Sequence, residues 1–361
     1  MSFTKAMIYT LVILVHLLIV FTFFSGSCTH KPTADGPTAE AVKDPEAQNT
    51  PQAEVPGNPS ALAAAEQGAP GTVAAQPTAP QKPQPSKIGP YTPTYYAREN
   101  RALPTKLATD AGTAHAVAVI DVSRHALLYG RNEGNSLPIA SLTKMMTVNL
   151  LMEDLQAGKQ GLTLDTPVKV TKAAAAIGGH QVWLDPRETF TIDELLKCVI
   201  IRSANDCAFL LGEFLANGDI SAFIARMNSR AKELGCRGFL FHNSHGLPTN
   251  SGKENQGNPL ELAYMAERLW QYPEVMRWAA TRQEFIREKT KPFQLDTTNN
   301  LLRTCPGVNG LKTGMTNAAG FCLVATCERN ERRVIVVVLG MPSAKARDKL
   351  AAALIEWAYE N

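Results

Sequence analysis

Hydrophobic patterning divides the chain into three regimes. From Ala6 to Phe24 apolar residues run almost unbroken, interrupted by Tyr9, Thr10, His16 and Thr22. From residue 29 to about 103 large apolar side chains nearly vanish. Beyond Pro104 the pattern becomes that of a folded domain, with short strand and helix periodicities separated by turn residues. HAVAVID (115–121) and ALLYGR (126–131) read as two strands joined by a polar turn, hence a hairpin. SLTKMMTVNLLMEDL has apolar residues at helical spacing, which predicts a helix starting near Ser141. Residues 193–217 predict two helices broken near Ser203, and further helices are expected at 219–234 and 259–271. Strands return at 320–327 and in the apolar run VIVVVLG at 334–340. A final helix over 344–359 carries Leu350, Leu354 and Trp357 on one face. Strands at both ends with helices between them imply a mixed α/β (α+β) domain: an antiparallel sheet closed by the two ends of the domain, flanked by helices, with a mostly helical region inserted.

Composition adds an address. Lys5 precedes the first apolar run, and Ser25-Gly26-Ser27 follows it with small residues where a signal peptidase cuts. Cys28 comes next, as in a bacterial lipoprotein signal, although Ser25 stands where such signals usually carry Leu. Residues 1–28 therefore read as a signal peptide, a signal anchor or a lipoprotein signal. Any of the three means export, to the outer or periplasmic side of a membrane. The segment 29–103 holds 13 of the 23 prolines and is rich in Ala, Gln, Thr and Gly. It cannot bury enough apolar surface to offset its ordering entropy and reads as a disordered linker. A flexible coil of that length reaches on the order of 45 Å.

The net charge of +3 offers no footprint for nucleic acid. After Cys28 come Cys198, Cys207, Cys236, Cys305, Cys322 and Cys327, mostly in apolar stretches such as LLKCVII and GFCLVATC. None has C-x-x-C spacing or a neighbouring histidine pair. No metal or other cofactor is expected.

Three short motifs occur in order: Ser141-Leu142-Thr143-Lys144, Ser203-Ala204-Asn205 and Lys312-Thr313-Gly314. Helical register puts Ser141 and Lys144 one turn apart on one face. A serine hydroxyl needs a base to become a nucleophile, and lysine can be that base when burial and a nearby cation lower its pKa. Ser203 and Asn205, at a break between helices, can reach into a cleft to pass a proton or hold a peptide carbonyl. Lys312 would supply the second cation and Thr313 a hydroxyl. Gly314 would let a substrate backbone lie close along the strand that the motif is expected to precede. Taken singly, the first two motifs read more readily as helix caps, and the third reads also as a surface turn.

Taken together, the order S-x-x-K, S-x-N, K-T-G resembles that of penicillin-binding proteins and class A β-lactamases. The flanking residues PIASLTKMMT, LLKCVIIRSANDCA, NSHGLP, TNNLL and GVNGLKTGMTNAAGFCLVAT resemble the low-molecular-mass D-alanyl-D-alanine carboxypeptidases over about residues 110–361. The resemblance implies a β-lactamase/transpeptidase-like fold over 104–361. It implies Ser141 as the acylated nucleophile, Lys144 as general base and Ser203 in the proton relay. Asn205, Lys312, Thr313 and Gly314 would bind substrate. The backbone N–H groups of Ser141 and Met315 would form an oxyanion hole, and Arg347 would assist with a terminal carboxylate. The implied partners are peptidoglycan stem peptides, with β-lactam antibiotics as inhibitors and the membrane reached through the N-terminal segment.

Several features depart from the family. Gly179-His180-Gln181 replaces a serine-containing stretch near the groove, which makes His180 a candidate groove residue. Met315 stands where His, Tyr or Phe is common. The C-terminal β-domain of many members is not expected here. A D,D-endopeptidase is the nearest alternative activity. A β-lactamase or a non-catalytic wall-binding protein fits less well, because no suitably placed E-x-x-L-N motif occurs and both Ser141 and Lys144 are present.

Overall fold

The computed structural model describes residues 88–360. The readings of residues 1–28 as an export signal and 29–87 as a linker lie outside the described residues.

Six strands form the main sheet: β1 (Ala97–Arg98), β2 (Ala116–Asp121), β3 (Ala126–Arg131), β4 (Val308–Thr316), β5 (Gly320–Arg329) and β6 (Arg332–Met341). They lie in the order β1-β3-β2-β6-β5-β4, antiparallel throughout except for the short β1–β3 pair. Strands from both ends of the domain therefore meet at the centre, where Val334 to Leu339 of β6 pair with Asp121 to Ala116 of β2. β6 is apolar without alternation because both of its faces are covered. Val334, Val336 and Val338 pack with Leu350, Leu354 and Trp357 of the terminal helix Ala344–Glu360. Ile335, Val337 and Leu339 belong instead to the core shared with the helices on the other face.

The helical region between β3 and β4 contains Lys144–Gln156, Ile192–Lys197, Asn205–Leu215, Ile220–Glu233 and Pro259–Trp270, as the periodicity predicted. Sequence patterning missed the helix Pro273–Ala280 and the hairpin Gln283–Ile286/Phe293–Asp296, whose polar strands leave little alternation to read.

Two expectations need correction. Lys312-Thr313-Gly314 does not precede a strand but lies within β4, an edge strand of the sheet. Residues 88–103, read as linker, are part of the domain. Tyr96 is buried and its hydroxyl donates to Glu267 Oε2 at 2.9 Å, while Tyr95 donates to Oε1 at 3.1 Å. β1 pairs with β3, and Tyr91 N–H donates to Leu234 O at 2.8 Å. Three tyrosines within a proline-bordered polar stretch carry no period, so composition alone assigned them to the linker.

Candidate active site

Ser141 sits in a 3-10 turn, Ala140–Thr143, that runs straight into the helix Lys144–Gln156. The turn begins with Ala140 at φ 47°, a left-handed conformation unusual for alanine, so the backbone bends sharply just before Ser141. Asn243 and Asn255 fix the loop facing this turn. Asn243 Oδ1 accepts from the N–H groups of His245 (3.2 Å) and Gly246 (2.6 Å), and Asn255 Nδ2 donates to Thr143 Oγ1 at 2.9 Å. Gly246 has φ 94°, and a Cβ there would lie 2.1 Å from Ala140 O. Only glycine lets the two backbones meet.

Lys144 is completely buried. Its Nζ lies 2.9 Å from Ser141 Oγ, 2.7 Å from Asn205 Oδ1 and 2.5 Å from His245 O. The amide and carbonyl oxygens can only accept, so in the neutral amine they take both N–H groups. That leaves the lone pair for the one partner able to donate, the Ser141 hydroxyl. Burial holds the Lys144 pKa well below its ordinary value, and the Lys312 charge lowers it further. Burial pushes the His245 pKa down to about 3, and charge on Lys144 lowers it in the same direction.

The second motif owes its position to a break in the helix. A π-helical stretch, Cys198–Arg202, ends at Ser203 with φ 65°, and the next helix begins at Asn205. This reversal turns both side chains toward the cleft. Ser203 Oγ accepts from Lys312 Nζ at 2.8 Å and so keeps its own proton free to donate. Asn205 binds Lys144 through Oδ1 and donates Nδ2–H to Gly178 O at 2.9 Å, which makes it a clamp on Lys144 as well as a wall of the cleft.

On β4, Lys312 is buried and also donates to Thr313 O at 2.9 Å. Burial and then the Arg347 charge push its pKa down to about 7. Thr313 Oγ1 lies 2.6 Å from Thr298 Oγ1. A Cβ on Gly314 would fall 3.0 Å from Ile139 O and 3.1 Å from Ser141 N, so glycine lets the strand approach the Ser141 backbone. Met315 is 53% exposed, its side chain at the cleft rim. Arg347, buried on the terminal helix, is held by Asp348 Oδ1 through Nε (2.8 Å) and Nη2 (2.7 Å).

Ser141, Ser203, Asn205, Thr313, Gly314, Met315 and Arg347 together line one cleft of about 360 Å³. Lys144 and Lys312 lie behind its wall, reaching Ser141 and Ser203. His180 lines the cleft as well, with its pKa lowered by burial and then by Arg202 and Lys312. Sequence reasoning assigned no role to the His245 carbonyl, Thr298 or Asp348. The first is a backbone group that no residue type advertises. The second lies in TNNLL, whose order alone does not show that Thr298 meets Thr313. Among the described residues no cluster of His, Cys, Asp or Glu is suited to a metal ion, and all six cysteines are buried free thiols.

The site thus sets a buried lysine against one serine, Ser141, and a second buried lysine against another, Ser203. Residues 104–343 match the family model described as D-alanyl-D-alanine carboxypeptidase. The chain belongs to that family. A D-alanyl-D-alanine carboxypeptidase of Bacillus subtilis is 34% identical over 272 residues, covering 75% of this chain and 68% of the relative. One from Escherichia coli is 29% identical over 279 residues, covering 74% and 66%. The chain thus spans about two thirds of the length of these relatives. Among solved structures, penicillin-binding protein D2 of Listeria monocytogenes in a cefotaxime-bound form is 30% identical with a TM-score of 0.61, covering 68% of this chain and 97% of that one. The fold is that of the penicillin-binding D,D-peptidases.

Proposed function

We propose that the protein is a serine-type D-Ala-D-Ala carboxypeptidase, exported to the cell envelope and held at the membrane by its N-terminal segment. It would remove terminal D-alanine from peptidoglycan stem pentapeptides. The observation that carries this reading is the buried Lys144, whose Nζ lies 2.9 Å from Ser141 Oγ with two obligate acceptors, Asn205 Oδ1 and His245 O, as its other partners.

Neutral Lys144 takes the Ser141 proton as Oγ attacks the penultimate D-alanyl carbonyl. The N–H groups of Ser141 and Met315 receive the oxyanion; the close approach of Gly314 to Ser141 N supports this pairing. Collapse expels D-alanine, whose amine takes a proton from Lys144 by way of Ser203. Water then hydrolyses the ester, with Lys144 again as base. Lys312, Thr313 and Arg347 would bind the free carboxylate of the substrate, and a peptide backbone would lie along the open edge of β4. Arg347, which Asp348 holds at the cleft, would favour a free C-terminus over a cross-link, where an amide replaces that carboxylate.

The test is D-alanine release from a stem pentapeptide, measured beside cleavage of a cross-linked muropeptide dimer. The pentapeptide should be the better substrate, and Arg347→Ala should slow its cleavage much more than that of the dimer. Efficient cleavage of the dimer with little D-alanine release would instead make the enzyme an endopeptidase.

A further inference from the structure

The segment 178–188 carries a second feature beside the catalytic cleft. Three residues after His180, Trp183 is 60% exposed, yet its backbone and one edge of its ring have defined partners. Its φ is 53°, a left-handed conformation that a bulky residue adopts only when its surroundings impose it. Those surroundings are explicit. Asp206 Oδ2 accepts from Val182 N (3.1 Å) and Leu184 N (3.3 Å), on either side of Trp183. Arg287 donates to Val182 O (2.9 Å) and Trp183 O (3.1 Å) while paired with Glu188. With the Gln181 amide oriented to satisfy both its ends, its oxygen accepts from the indole Nε1 at 2.6 Å. The ring meets Phe293 edge to face, with centroids 5.5 Å apart. An indole fixed by its edge and its N–H, with much of its surface open to solvent, is prepared to be stacked upon.

Trp183 borders a concavity of about 530 Å³ outside the catalytic cleft. Five of its nine lining residues are charged, namely Asp185, Arg187, Glu188, Arg287 and Lys291. Asp185 pairs with Arg187 and Glu188 with Arg287, and an apolar ligand would take these pairs out of water with no hydrogen bonds in return. A sugar ring suits them better: its C–H face packs on an aromatic surface, and its hydroxyls exchange hydrogen bonds with carboxylate and guanidinium groups.

We propose that this concavity is a glycan subsite, in which Trp183 stacks against a pyranose ring of the peptidoglycan strand that bears the stem peptide. The proposal rests on the peptidoglycan reading above and extends it from peptide to sugar. A stem peptide with its fourth residue at Ser141 carries its sugar on the order of 15 Å from the reacting carbonyl. The three residues from His180, in the cleft wall, to Trp183 span at most about 10 Å.

The probe is the N-acetylglucosamine–N-acetylmuramic acid disaccharide without peptide, with binding to the full chain followed by saturation-transfer NMR. Binding is expected before and after penicillin treatment, because the subsite lies outside the cleft. It should weaken about tenfold in Trp183→Ala and largely survive in Trp183→Tyr. A photoreactive form of the disaccharide should label residues 182–188 of the unaltered chain, so the assignment does not depend on how a variant folds. No binding, binding abolished by penicillin, labelling confined to other segments, or equal binding by a folded Trp183→Ala would each overturn the subsite. None of these readouts requires D-alanine release, so failure of the subsite is distinguishable from failure of the peptidase reading.

Discussion

Lys144 is a cation made reluctant. Burial disfavours its charged form first, and Lys312 adds like-charge repulsion. Removing Lys312 should therefore raise the Lys144 pKa and reduce the neutral fraction at a given pH. In Lys312→Ala the acid limb of the acylation-rate profile is expected to move to higher pH, measured with a reporter β-lactam. An unmoved limb would show that the two lysines are not coupled. Lys312 itself titrates near pH 7, its pKa lowered by burial and by Arg347. As pH rises through that value its charge is lost, so kcat/KM for a free-carboxylate peptide should fall while that for a C-terminally amidated analogue should not. Asn205 is predicted to act through the base. Asn205→Ala removes one of the two obligate acceptors that aim the lone pair, and acylation by penicillin should slow on the order of 100-fold. Ser141, Lys144, Ser203 and Lys312 were legible because their chemistry belongs to their side chains. The His245 carbonyl was not, since any residue could supply it.

At the scale of elements, the site depends on breaks in regular structure: the 3-10 turn at Ser141, the π-helical stretch before Ser203, and the asparagine-braced loop at Gly246. Periodicity located the helix break near Ser203 because polar residues interrupt an apolar run there. It placed Lys312-Thr313-Gly314 before a strand, because a Lys-Thr-Gly sequence lacks strand character when read locally. The motif lies within β4 because pairing with β5 overrides local propensity. Gly246→Ala tests how closely the elements must approach. Its Cβ would overlap Ala140 O, so we expect a loss on the order of 2 kcal/mol in denaturant unfolding, together with slower acylation. Unchanged stability would mean that the loop is free to retreat from the turn at Ser141.

Over the whole molecule, the continuous apolar run of β6 announced a strand, which the structure covers on both faces, and the terminal helix showed its buried stripe. The start of the domain was hidden, because Tyr91, Tyr95 and Tyr96 act through distant partners, Leu234 and Glu267. A chain beginning at Pro104 should be about 3 kcal/mol less stable than one beginning at Ile88, through loss of the buried Tyr96 and its bond to Glu267. Equal unfolding midpoints would return residues 88–103 to the linker. The central claim, that Lys144 activates Ser141 for acyl transfer, is tested most directly by mass spectrometry of the protein after incubation with penicillin. The account predicts a single adduct on the peptide containing Ser141, none in Ser141→Ala, and strongly slowed formation in Lys144→Ala. Rapid adduct formation in Lys144→Ala, or an adduct at another residue, would contradict it.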